Sequence, residues 1–183
     1  SHALGVFASD SYSVQAVLSS SLHQLWAITY GSTLETRVRY TPSDVFETFP
    51  LPTSTARLSD AGRSLHDERR EIMLRRDLGL TKLYNLVNDS TVHGDLDVDR
   101  LREIHIEIDR ATMAAYGWDD VELSHGFHTY RHMERWTIDP VGRVEALDRL
   151  LESNHLHAAV TDWTSREGRR QLQVADAETS LFD

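Results

Sequence analysis

Leu96-Asp97-Val98-Asp99-Arg100-Leu101-Arg102-Glu103-Ile104-His105-Ile106-Glu107-Ile108-Asp109-Arg110-Ala111-Thr112-Met113-Ala114-Ala115-Tyr116-Gly117 is the stretch that decides the fold class. Leu101, Ile104, Ile108, Ala111 and Ala115 recur at helical spacing and form one apolar face. Asp97 is a good N-cap, and Leu96 before it with Leu101 four positions into the helix has the pattern of a hydrophobic staple. Gly117 supplies the stop. The stretch therefore reads as a long amphipathic helix, and its neighbours extend the same texture.

Upstream, Leu58, Leu65, Ile72 and Met73 mark one face of a helix that is otherwise densely charged through Asp67-Glu68-Arg69-Arg70-Glu71, and Gly79 interrupts it. Leu80, Leu83, Tyr84 and Val87 form a shorter stripe that ends in the turn Asn88-Asp89-Ser90, so a helical hairpin is expected. Downstream, a loop region carrying Trp118, three histidines and Trp136 leads to a last helix, with Asp139 as cap and Pro140 at its first position. Val141, Val144, Leu147, Leu151 and Leu156 are its expected core face, and the polar sequence after about Arg166 is expected to fray.

The first 52 residues have a different texture. Leu4 to Ala8 suits a buried strand, and Asp10, Ser11 and Ser13 offer oxygens to cap a helix from about Tyr12 to Tyr30. Gly31 sits where a C-terminal cap with positive φ is expected. Thr33 to Tyr40 alternates as a half-buried strand that Pro42 stops, and the segment to Pro52, with three of the four prolines, suits a single helical turn and an extended exit. The expected fold is mainly α: a small α/β portion over residues 1–52, a helical bundle over 53–165 and a polar tail over 166–183. A sheet left incomplete in the first portion would expose a strand edge, an invitation to homo-oligomerise.

Composition narrows the function. The 183 residues carry a formal net charge of −10, which disfavours a solitary DNA binder because phosphate contact usually needs a basic patch. There is no cysteine, hence no disulfide and no thiolate metal site. No apolar run is long enough for a membrane span and the N-terminus has no secretory pattern, so a cytoplasmic location is expected.

Few residues suggest chemistry. His125, His128 and His132, with Glu134 nearby, have spacings of three and four that would gather imidazoles on one side of a helix for zinc or nickel, although Gly126 lies inside the run. His128 and His132 are the metal candidates of that set, and capping or solvated histidines are the plainer reading. Glu103, His105, Glu107 and Asp109 crowd one segment, where the plainer reading is the polar side of an amphipathic helix. Arg37, Arg39 and Tyr40 place two cations and an aromatic on or beside one strand, a small phosphate-contacting set. There is no glycine-rich cofactor loop, no nucleophile elbow and no Asn/Asp-Pro-Pro-aromatic segment.

Several ordered blocks carry a family resemblance: Leu22-His23-Gln24-Leu25-Trp26-Ala27, Tyr40 through Pro50, Leu80 through Asn88, Ala115 through Asp120, and Leu147 through His155. Together they resemble the C-terminal end of MmeI-like adenine-specific DNA methyltransferases, large single-chain enzymes of restriction-modification and phage-defence systems. The resemblance implies that residues 1 to about 52 end a target-recognition region and that the rest is a helical extension packed on it. It also implies that S-adenosylmethionine binding and the catalytic Asn-Pro-Pro-Tyr type motif belong to an upstream methyltransferase region. This chain would then hold no cofactor and no catalytic residue, and would meet double-stranded DNA through its parent enzyme. Two other readings are a helical adaptor that binds protein through an exposed Leu80-Leu83-Tyr84-Val87 stripe, and a histidine-based metal-dependent hydrolase.

Overall fold

The computed structural model describes residues 7–34, 37–130 and 133–179, with side chains throughout except at 33–39, 133 and 160–179. It is mainly α with a small α/β portion. The expected strand over Leu4 to Ala8 lies mostly outside the described residues, and Phe7 and Ala8 have no regular structure.

Ser20 divides what the periodicity reads as one helix. Its hydroxyl donates to Val17 O at 2.7 Å and accepts from His23 N at 3.1 Å, so it closes α1 (Tyr12–Ser19) and caps α2 (Ser21–Tyr30). Short hydroxyl side chains compete for backbone groups in this way, and three consecutive serines, Ser19 to Ser21, make the break local and cheap. Gly31 ends α2 at φ −64°, so no left-handed cap forms there. The expected strand over Thr33 to Tyr40 is instead a hairpin of β1 (Ser32–Leu34) and β2 (Arg37–Arg39), followed by the expected helical turn, α3 (Pro42–Val45).

The central element is α6 (Leu96–Tyr116), where Val98, Leu101, Ile104, Ile108, Ala111 and Met113 are buried. Its cap is Asp95 rather than Asp97, because the Asp95 carboxylate accepts from both Asp97 N and Val98 N while also binding Arg76 at 2.8 Å. Leu96 is 84% exposed, so the staple does not form. Gly117 closes the helix at φ 76°, in the left-handed cap that the sequence anticipates.

Two further helices lean on α6. The longer is α4 (Ala56–Arg76), which buries Leu58, Leu65 and Ile72 and ends at a left-handed Asp77, two residues before the expected break. The shorter is α5 (Leu80–Val87), opened by Gly79; it packs on α6, and the expected hairpin with α4 is not its main contact. Leu83 and Val87 are core residues, which removes the exposed stripe that the adaptor reading needed.

The chain then departs most from expectation. Residues anticipated as a loop form the antiparallel hairpin β3 (His125–Tyr130) and β4 (Met133–Ile138), with Phe127 opposite Trp136 and His125 opposite Ile138. Asp139 then caps α7 (Pro140–Thr179) through Val141 N at 2.9 Å and Gly142 N at 3.0 Å. The core face of α7 is Arg143, Ala146 and Leu150; of the expected residues Leu147 and Leu151 pack half-buried against the core whereas Val141, Val144 and Leu156 are exposed, so the expected phase is off by about one residue, ~100°. The backbone stays helical past Arg166, where the residues are mostly good helix formers and include no proline.

Gly62 shows how closely the first helix is seated. A Cβ there would lie 2.0 Å from Tyr12 O and 2.8 Å from Tyr12 C, backbone atoms that cannot rotate away. Gly62→Ala is therefore expected to destabilise the fold by roughly 1 to 3 kcal/mol in urea denaturation, despite the ~1 kcal/mol advantage of alanine in a helix. A neutral or stabilising effect would mean that α1 sits farther from α4.

Candidate functional site

The α1–α2 break, α5, α6 and the β3–β4 hairpin meet around a partly enclosed cavity of about 350 Å³. Its walls are made of polar groups that are mostly committed to one another. His23 Nε2 and the Tyr40 hydroxyl are 3.0 Å apart, and His105 Nε2 and the Tyr84 hydroxyl are 2.8 Å apart. Asn88 Oδ1 accepts from Trp136 N at 3.2 Å, tying the end of α5 to β4.

Behind this wall lies a buried carboxylate. Asp109 accepts from His125 Nε2 at 2.8 Å through Oδ2 and from Ser21 N at 2.7 Å through Oδ1. The side chains of His125 and Asp109 are 4% and 1% exposed. Asp109 thus completes the first turn of α2 with a negative group at the positive end of the helix while fixing β3. The sequence reading placed His105 and Asp109 on the solvent side of the helix, and the structure corrects it. Glu103 does face solvent, but His105 packs against Tyr84 and Asp109 is buried.

Arg102 secures the same corner. Its guanidinium donates to Val87 O, Val92 O and Asp89 O, each at 3.1 Å, and lies 4.9 Å and 5.3 Å from the ring centroids of Phe127 and Trp136. No sequence signal marked Arg102, since it reads as one more charge on an amphipathic helix.

Burial lowers the His23 pKa from 6.5 to about 4, and burial is also the main cause that lowers His105. A depressed folded-state pKa means that the neutral ring stabilises the fold fully above the unfolded value and ceases to do so as pH falls from about 6.5 to about 4. We expect acid titration of stability to steepen in that window, and His23→Gln to flatten it. An unchanged profile would show that the ring is solvated.

Against this geometry, each earlier candidate can be placed. Tyr40 joins the cavity wall, with its hydroxyl on His23. Arg37 and Arg39 form β2, and their side chains lie outside the described set. His125 and His128 lie three apart on a strand, so the pleat sends them to opposite faces and the helical gathering of imidazoles does not arise. His132 lies outside the described residues, and Glu134 accepts from Ser90 at 2.6 Å. Among the described residues no group of three or more His, Asp or Glu is arranged to hold a metal ion.

No family model matches the chain, and no curated protein matches it. Among solved structures, it is similar to that of the type IIL restriction-modification enzyme MmeI in complex with DNA, with 21% identity and a TM-score of 0.53. The likeness is one of fold, to part of that larger chain. The likeness covers 82% of this chain and 17% of that one, so the chain spans about a sixth of the MmeI-like architecture. Among the described residues, no helix is long and apolar enough to cross a membrane.

Proposed function

We propose that the chain is a non-catalytic C-terminal segment of an adenine-specific DNA methyltransferase of the restriction-modification or phage-defence type, where it supports recognition of the DNA target. The observation that carries the reading is the fold likeness over four fifths of the chain to a restriction-modification enzyme solved with DNA. On this reading residues 1–52 end the target-recognition region, residues 53–165 brace it, and the partners are the upstream methyltransferase region and double-stranded DNA.

S-adenosylmethionine is assigned to that upstream region, because the residues here do not suit it. The glycines with positive φ, Gly94 and Gly117, lie in the turn before α6 and at its end, and neither lines the cavity. No charged side chain lines the cavity to meet the cofactor's carboxylate or sulfonium.

A net charge of −10 requires DNA contact to be local, and the β1–β2 hairpin with Arg37 and Arg39 is the assigned contact. Tyr40 anchors the base of that hairpin through His23, with Phe7 packed edge-on against its ring. In the full-length enzyme, Arg37→Ala with Arg39→Ala should weaken DNA binding and reduce the slope of log K against log salt by about 1.8, the value for two phosphate contacts. An unchanged slope removes the hairpin from the interface. The chain alone and the chain joined to the upstream region should also be compared at low and moderate salt. Binding only in the joined form supports a dependent segment, and tight binding by the chain alone overturns it.

A further inference from the structure

We propose that the outer half of α7 is a self-association arm, through which two copies of the chain pair as an antiparallel coiled coil. From His155 to Ala159 every residue of α7 is exposed, and the helix then runs on to Thr179, about 30 Å further. Over that length the sequence carries a heptad stripe. Leu156, Val160 and Trp163, then Glu167 and Arg170, then Val174 and Ala177 follow one another at alternating steps of four and three. Leu156, where the stripe begins, is 61% exposed. The inner half of α7 has no such stripe, because the same face carries Glu145, Arg149 and Glu152 there. The residues with which α7 packs on the body, Arg143, Ala146 and Leu150, lie roughly a third of a turn away from it.

Charge selects both the occupant of this face and its direction. In a parallel pair of copies each stripe position meets itself, so Glu167 would face Glu167 and Arg170 would face Arg170, which like charges disfavour. Antiparallel pairing centred between Gly168 and Arg169 reverses this. Glu167 of each copy then faces Arg170 of the other, Trp163 faces Val174, and Val160 faces Ala177. Apolar residues meet apolar ones in the outer layers, and the two central layers are opposite charges, so the stripe is complementary to a second copy of itself. A partner helix with an uninterrupted apolar stripe would instead bury the Glu167 and Arg170 charges without counter-charges, at a cost of several kcal/mol on the usual scale.

The inference does not rest on the DNA reading, and its test uses the 183-residue chain without DNA. Sedimentation velocity over the micromolar range is expected to show a monomer–dimer equilibrium. Glu167→Arg and Arg170→Glu each set like charges against one another at both central layers, so each should weaken the dimer roughly tenfold or more. The double reversal, Glu167→Arg with Arg170→Glu, should restore it. Near-ultraviolet circular dichroism establishes that the body of each variant is folded, and recovery in the double reversal separates a lost pairing from a damaged chain. Direction is read separately, since the chain has no cysteine of its own. On mild oxidation, Val160→Cys with Ala177→Cys should give a disulfide-linked dimer and Val160→Cys alone should not. A monomer at every concentration, a dimer that the single charge reversals leave unchanged, or cross-linking through Val160→Cys alone would overturn the proposal.

Discussion

Arg102→Ala is expected to lower the unfolding free energy by about 3 to 5 kcal/mol, the range for breaking a buried charged network by removing one member. Arg102 is 7% exposed, and its donors satisfy the carbonyls of Val87, Asp89 and Val92 just where α5 ends and the chain turns toward α6. Without it the carbonyls of buried Val87 and half-buried Val92 lose this donor, at the end of a helix whose C-terminus favours a cation, while Asp89 O keeps Val92 N at 3.2 Å. The rings of Phe127 and Trp136 also lose the guanidinium on which they rest. Arg102→Lys should recover little, because a single ammonium cannot present a planar fork to three separated carbonyls. Urea denaturation should show a lower midpoint at unchanged slope. A loss under about 1 kcal/mol would mean that water replaces the guanidinium without penalty.

The difference between what the sequence revealed and what it concealed has a physical pattern. Local signals survived: Gly117 as a left-handed cap, Asp139 before Pro140, and the Leu101-Ile104-Ile108-Ala111 face all stand where the residues indicate. Each depends on atoms within one or two helical turns. Positions failed where distant partners decide. Asp95 took the cap from Asp97 because Arg76, nineteen residues away, also holds it. The phase of α7 followed packing on α2, which no period in α7 encodes.

The β3–β4 hairpin was concealed by a competing reading. His125, His128 and His132 fit a helical spacing, and Gly126 weakens a strand, so the alternation of Phe127, Thr129 and the facing Trp136 and Ile138 reads as loop. The cavity was invisible for a related reason. Its walls come from positions 7 to 136, and its histidines are each followed by ordinary helix or strand sequence. One hint was present in the sequence: His105 and Asp109, polar residues flanking the apolar Ile104 and Ile108, lie at the spacing that lets both reach neighbouring elements.

Asp109→Ala should have an effect comparable to that of Arg102→Ala, about 3 to 5 kcal/mol, from two charge-assisted hydrogen bonds worth roughly 1.5 to 3 kcal/mol each. One of them supplies the acceptor for Ser21 N, an otherwise orphaned donor at the start of α2, and the other holds His125 on β3. Asp109→Asn keeps the shape but offers one acceptor oxygen for two donors, so it should recover only about half of the loss. Hydrogen exchange distinguishes this from general loosening: Ser21 NH should lose protection in both variants, while amides in the middle of α4 keep theirs relative to global stability. If Ser21 NH stays protected, α2 is held by its own Ser20 cap, and the carboxylate serves the hairpin alone. Joint loss at Ser21 and along β3 would establish Asp109 as the group through which α2 and the β3–β4 hairpin share one cavity wall.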